Sequence, residues 1–260
     1  MSLLVRGIER LGGLTVRPVE ATGRFGAMFA LGFLRLFQRP FRLRLIFKQM
    51  EFVGVQSLVI VMITGLFTGG VFALQSNVAF SMFGAQGLTG STVALALTKE
   101  LAPVFCALMV TGRAGSAMAA EIGTMRVSEQ IDALEAMAVD PIGYLVTPRL
   151  LAGLVMLPVL TAVFDLIGII GASVVGIYVL HIQEGPFFGR IEWYLDPDDI
   201  TGGLIKAAVF GVIMAVVGCT KGFYATNGAE GVGRATTDAV VIASVSILVS
   251  DYFLTQALMV

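Results

Sequence analysis

The sequence predicts an all-α integral membrane protein: amphipathic N-terminal helices lying in the interface, then five transmembrane helices, with a short charged helix between spans two and three. Three observations carry this. Of 260 residues, 57% are hydrophobic and 13% charged, about half the charge content of a soluble domain. Phe52 to Thr98 contains no charged residue and Leu150 to Tyr178 only Asp165; uncharged runs of about 18 residues or more suffice to cross a bilayer. The basic residues crowd one side of the apolar runs.

Residues 1–51 hold nine of the 17 Lys and Arg residues: Arg6, Arg10, Arg17, Arg24, Arg35, Arg39, Arg42, Arg44 and Lys48. They are interleaved with Leu, Phe, Ile and Val, and no apolar stretch is long enough to span. That mixture suits helices lying on an anionic inner leaflet. The recurring arginines, with no uninterrupted apolar core after them, do not read as a cleavable signal.

Residues 52–260 then form a five-span domain, with spans at about 52–75, 92–116, 149–180, 200–222 and 238–259. Between the first two, the polar run Gln75-Ser76-Asn77 and the glycines Gly84, Gly87 and Gly90 suggest a re-entrant or interfacial piece. The third span contains Pro158 and would reach about 46 Å at 1.5 Å per residue, which predicts tilt or a kink. Small-residue spacings at Gly65/Gly69, Gly112/Ser116 and Gly218/Gly222 allow close helix approach.

Orientation follows from the charges. Arg113, Arg126, Arg149, Lys221 and Arg234 share a side with the nine N-terminal cations, while the opposite side has only Arg190. Its 181–199 loop carries Glu184, Glu192, Asp196, Asp198 and Asp199. This imbalance places the N-terminus in the cytoplasm and the C-terminus outside.

Residues 120–141, AEIGTMRVSEQIDALEAMAVDP, put five acids and one arginine between spans two and three, on the cytoplasmic side. Ser128 can cap a helix with Glu129, Asp132 and Glu135 on one face and Val127, Ile131, Leu134 and Ala138 on the other, and Asp140-Pro141 stops it. Such a helix is shaped to dock in a groove on a partner. Its acids argue against lying on an anionic leaflet.

Charges inside spans are functional candidates because each costs at least about 2.5 kcal/mol to insert. Lys99 and Glu100 lie in span two. Lys206 lies about 9 Å below the outer surface in span four, and Asp251 about 12 Å below it in span five. Equal depth predicts an ion pair tying those spans together, against the simpler alternative of a Lys206 that snorkels.

Catalytic and cofactor chemistry finds little support. GAEGVGRA (228–235) imitates a phosphate-binding loop, but Arg234 and Ala235 stand where the motif needs Lys and Ser/Thr, and no strand precedes it. It reads as a cytoplasmic turn. His181 is the only histidine, and Cys106 and Cys219 sit in apolar segments without metal spacing. No cofactor, metal or nucleic-acid partner is expected on this chain.

Two strings resemble a known family. KELAPVFCALMVTGRAGSAMAAEIGTMRVSEQIDALEAMAVDP (99–141) and GVGRATTDAVVIASVSILVSDYFLT (231–255) are similar to the signature and C-terminal regions of MlaE-family ABC-transporter permeases. The resemblance implies a homodimeric permease for phospholipid, working with a cytoplasmic ATPase that binds ATP and Mg, a periplasmic MCE-domain protein and, where present, a small STAS-like cytoplasmic subunit. It implies a bacterial inner-membrane location and a role in outer-membrane lipid asymmetry. The segment about 121–138, with Glu121, Arg126, Glu129, Asp132 and Glu135, then resembles a coupling helix seated in the ATPase. Phe72, Ala79, Phe83 and Glu100, with Leu101 and Lys99 beside them, match lining positions of a lipid cavity formed by spans one and two of both copies. An ion-coupled secondary transporter is the alternative; it usually shows repeats and more spans. An intramembrane enzyme lacks a constellation.

Overall fold

The computed structural model describes Glu20, residues 22–37 and residues 42–258; Arg6, Arg10, Arg17 and Arg39 lie outside them. Regular structure among the described residues is helical. Five stretches are long and apolar enough to cross a membrane: Leu43–Ser81, Gln86–Val127, Ile142–Val179, Pro197–Phe223 and Gly228–Leu258. Each extends past the apolar run that located it at one end or both, because helical hydrogen bonding continues into the polar flanks.

Helix α1 (22–34) lies against the start of the third span. Its Met28 is buried, Gly32 abuts Val146 and Leu150, and the Thr147 hydroxyl donates to the Gly32 carbonyl at 3.2 Å. Phe29, Phe33 and Leu34 face outward. Helix α2 (Leu43–Val53) is separated from α3 (Leu58–Ser81) by a short 3-10 turn, Val55–Ser57. The expected re-entrant or interfacial piece is a tight reversal: α3 continues through Asn77 to Ser81, Gly84 adopts φ 65°, and the 3-10 turn Gln86–Leu88 leads into α4 (Thr89–Ala96).

The second span is α4, α5 (Ala102–Val110) and α6 (Ser116–Val127), joined by π-helical turns at Leu97–Leu101 and Thr111–Gly115. After the short α7 (Gln130–Ala136), the third span is α8 (Thr147–Val174) with π turns at both ends. Pro158 sits inside α8 and the helix runs on around it. Residues 181–199, expected as a loop, hold α9 (Glu184–Tyr194), whose Phe187 is buried against Gly90 and Gly176.

Helix α10 (Pro197–Phe223) starts with Asp196 and Asp199 in a reciprocal capping box and Pro197 in the first turn, both strong start signals. Helix α11 (Gly228–Leu258) begins at the glycine-rich string, so GAEGVGRA is two helical turns and not a loop; Glu230 and Arg234 pair across one turn at 2.5 Å.

Helix α8 packs against α3 and α10, and α10 also against α6 and α11. Lipid offers no hydrophobic drive between helices, so close packing must hold them. A side chain on Gly69 would overlap the Gly168 carbonyl on α8. Gly218 and Gly222 of α10 press likewise on Gly115 and Ala119. Two of the three small-residue spacings thus serve packing within the chain, whereas Gly112 has open space beside it. Phe164, Phe210, Leu97, Met118 and Met214 fill the core between these crossings.

Candidate functional site

At the α9 end of the bundle, charges from three helices meet. Pro103 has no amide hydrogen for the Lys99 carbonyl four residues earlier, and here the second span opens into the π turn Leu97–Leu101. Helix α10 comes close because Gly203 has no side chain; a Cβ there would strike the Thr98 carbonyl. One turn on, Lys206 enters the gap. Its ammonium donates to the Thr255 hydroxyl at 2.6 Å, the Glu100 carboxylate at 2.7 Å and the Lys99 carbonyl at 3.0 Å. All three of its donors are used.

The Thr255 hydroxyl donates in turn to Glu100, 3.1 Å away, closing a ring across α10, α11 and the π turn. Asp251 stands 3.4 Å from the Lys206 ammonium, at ion-pair distance, but that oxygen makes no hydrogen bond. The expected Lys206–Asp251 pair therefore exists, with Glu100 as the nearer and hydrogen-bonded partner. Lys206 does not snorkel: its side chain is 4% exposed. Lys99 turns the other way and pairs with Asp199 at 2.7 Å.

Between the π turn, the first turns of α10 and the end of α11 lies a pocket of about 280 Å³, with Lys99, Glu100, Asp199 and Lys206 in its wall. Its size and mostly polar or charged lining suit a small polar group better than an acyl chain. Phe72 and Leu101 are half-buried and pack on the core, while Ala79 and Phe83 are exposed toward the α9 end, Phe83 at 83%. None of the four lines the pocket at the π turn.

At the opposite end, the expected single helix over 121–138 is two. Glu121 and Arg126 belong to α6, which runs unbroken from the second span to Val127. Ser128 does not cap α7: its hydroxyl donates back to the Thr124 carbonyl at 2.7 Å, and Glu129, at φ 58°, occupies the N-cap position without a side-chain bond. Ile131 is buried and Leu134 half-buried, but Val127 and Ala138 are exposed, so the packed face is narrower than the pattern implied. Helix α7 ends at Ala136, before Asp140, whose carboxylate accepts from the Gly143 amide at 2.8 Å and thereby starts the third span.

The acids of this segment differ in their freedom. Asp132 pairs with Arg126 at 2.6 Å, and Glu121 reaches the buried Arg149 of α8 at 2.6 Å. Glu129 and Glu135 are exposed and make no ion pair among the described residues. Sequence reasoning missed Asp199 and Thr255 as partners; Asp199 carried a signal, three residues after the start signal Asp196-Pro197, but Thr255 carried none.

The description Permease MlaE belongs to the family model that matches residues 46–257, which takes in nearly all of the five spans. A probable ABC transporter permease protein of Rickettsia bellii is 42% identical over 254 residues, covering 98% of both chains. The intermembrane phospholipid transport system permease protein MlaE of Haemophilus influenzae is 39% identical over 257 residues, 97% of each. A chloroplastic protein of Arabidopsis thaliana, TRIGALACTOSYLDIACYLGLYCEROL 1, is 38% identical over 86% of this chain and 64% of its own. Matched across the bundle and alignable with bacterial permeases almost end to end, the chain belongs to the MlaE permease family and is a transport subunit, not an enzyme.

Proposed function

We propose that the chain is the permease subunit of an ABC transporter that moves phospholipid between the bacterial inner membrane and an MCE-protein carrier, and so maintains outer-membrane lipid asymmetry. The observation that carries the reading is a charge-walled pocket at one end of the bundle and an acid-faced helix, α7, at the other, linked by the second span. Support also comes from the Haemophilus influenzae relative, whose name assigns it to intermembrane phospholipid transport.

In this reading two copies face each other through their first two spans, and their exposed stripes enclose the lipid tails. Phe72, Ala79, Phe83 and Leu101 contact acyl chains, and Lys99 and Glu100 lie at headgroup level. The N-terminus is cytoplasmic and the C-terminus periplasmic, so α7 meets the ATPase, which holds ATP and Mg. A small STAS-like subunit, where present, joins on the same cytoplasmic side. Motion of α7 passes into α6 and, through Glu121 and Arg149, into α8.

The test is reconstitution of the chain with its ATPase and MCE partners and measurement of labelled phospholipid transfer. Transfer that requires ATP and fails with a hydrolysis-deficient ATPase is expected. ATP-independent transfer that follows an ion gradient would instead favour a secondary transporter.

A further inference from the structure

The junction of α2 and α3 carries a cation that nothing in the described residues neutralises. Arg113, in the π turn Thr111–Gly115, reaches across to it. Its Nε donates to the Ser57 hydroxyl at 2.8 Å, one terminal nitrogen to the Gln56 side-chain oxygen at 3.2 Å and the other to the Phe52 carbonyl. The guanidinium lies 5.0 Å from the Phe52 ring centroid. All of these partners are neutral. A guanidinium has five N–H donors, so two remain. No carboxylate among the described residues pairs with Arg113, and a charge carried by a spanning segment is costly without a counter-ion.

Arg44 and Lys48 extend the site. With Phe52 they recur every four residues on one face of α2, each step about 6 Å along the axis. Both are exposed and neither makes an ion pair among the described residues. The acid of this helix, Glu51, is exposed and likewise makes no ion pair with them. Leu43, Phe47 and Val55 are exposed along the same segment, and no atom fills the space beside Gly112. A row of free cations over bulky apolar side chains is the arrangement that holds a phosphate above acyl chains.

We propose that Arg44, Lys48 and Arg113 bind the phosphate of an anionic phospholipid in the leaflet on the α7 side. The site is separate from the pocket at the π turn Leu97–Leu101, since Arg113 follows Lys99 by fourteen residues, about 21 Å along the span. It does not depend on the transport reading. Free phosphate has the same chemistry, but it makes no use of Leu43, Phe47 and Val55.

The test places the chain in nanodiscs of phosphatidylcholine containing phosphatidylglycerol and counts retained lipid by native mass spectrometry. Arg113→Gln lowers retained phosphatidylglycerol about fivefold, and the double variant Arg44→Gln/Lys48→Gln lowers it further, with phosphatidylcholine unchanged. The double variant decides if Arg113→Gln fails to fold, because Arg44 and Lys48 are exposed and make no ion pair among the described residues. Phosphatidylglycerol retention equal to the unaltered chain in the double variant overturns the proposal. Equal loss of both lipids also overturns it. Displacement of phosphatidylglycerol by inorganic phosphate reassigns the site to the free ion and overturns the lipid assignment.

Discussion

The Lys206 ammonium donates to the Lys99 carbonyl at 3.0 Å, the carbonyl that Pro103 leaves without its usual amide partner four residues on. A defect in one span is thus filled by a charge from another, and the same ammonium holds Glu100 and Thr255. The π turn, the α10 approach at Gly203 and the α11 hydroxyl form one unit, so its members respond together to substitution.

Lys206→Met is expected to lower stability by about 3 kcal/mol, near the low end for breaking a buried ion pair, because Glu100 keeps some access to solvent. Asp251→Asn removes charge attraction but no hydrogen bond, and costs at most about 1 kcal/mol. Exchanging the charges, Lys206→Asp with Asp251→Lys, sets a new carboxylate against Glu100 and does not restore stability. Thermal unfolding in detergent checks the order; full recovery in the exchange would make Asp251 the principal partner.

Reversing Glu129 and Asp132 to Lys is expected to reduce capture of the ATPase roughly tenfold, as like charges meet across a docking surface. Membrane insertion stays normal. Asp132→Lys also loses its bridge to Arg126, so Glu129→Lys with Glu135→Lys serves as the cleaner pair. Unchanged pull-down in both doubles removes α7 from the docking surface.

Photo-crosslinkers at Phe72 and Phe83 are expected to capture phospholipid several-fold more than one at Val174. Phe72 is the deciding position: it is half-buried while Val174 is 48% exposed, whereas Phe83 at 83% would label more than Val174 by exposure alone. Labelling that simply follows exposure would mean bulk lipid and no cavity.

Gly69→Val is expected to destabilise the bundle by about 1–3 kcal/mol, because the added side chain meets the Gly168 backbone and α3 must move off α8. Gly112→Ala, facing open space, stays within about 0.5 kcal/mol of the unaltered protein. Unfolding midpoints of the two variants separate these outcomes, and equal midpoints would remove the close crossing as a source of stability.

The membrane class, the five spans and the partition of charges were legible in the sequence because hydrocarbon excludes charge, residue by residue, without reference to any contact. So was the depth match of Lys206 and Asp251, which needs only chain direction and helical rise. What depends on azimuth and on distant backbone was not legible. Which carboxylate lies nearer Lys206 depends on how α10 rotates against a π turn that Pro103 accompanies. Whether Gly65 and Gly69 serve a dimer or α8 depends on a helix about a hundred residues away. Ser128 has the residue type of a cap, but its hydroxyl finds a carbonyl on the preceding turn. Local composition determined what lies in the membrane, and tertiary packing decided what each polar group faces, because hydrogen bonds are short and directional while the hydrophobic effect is neither.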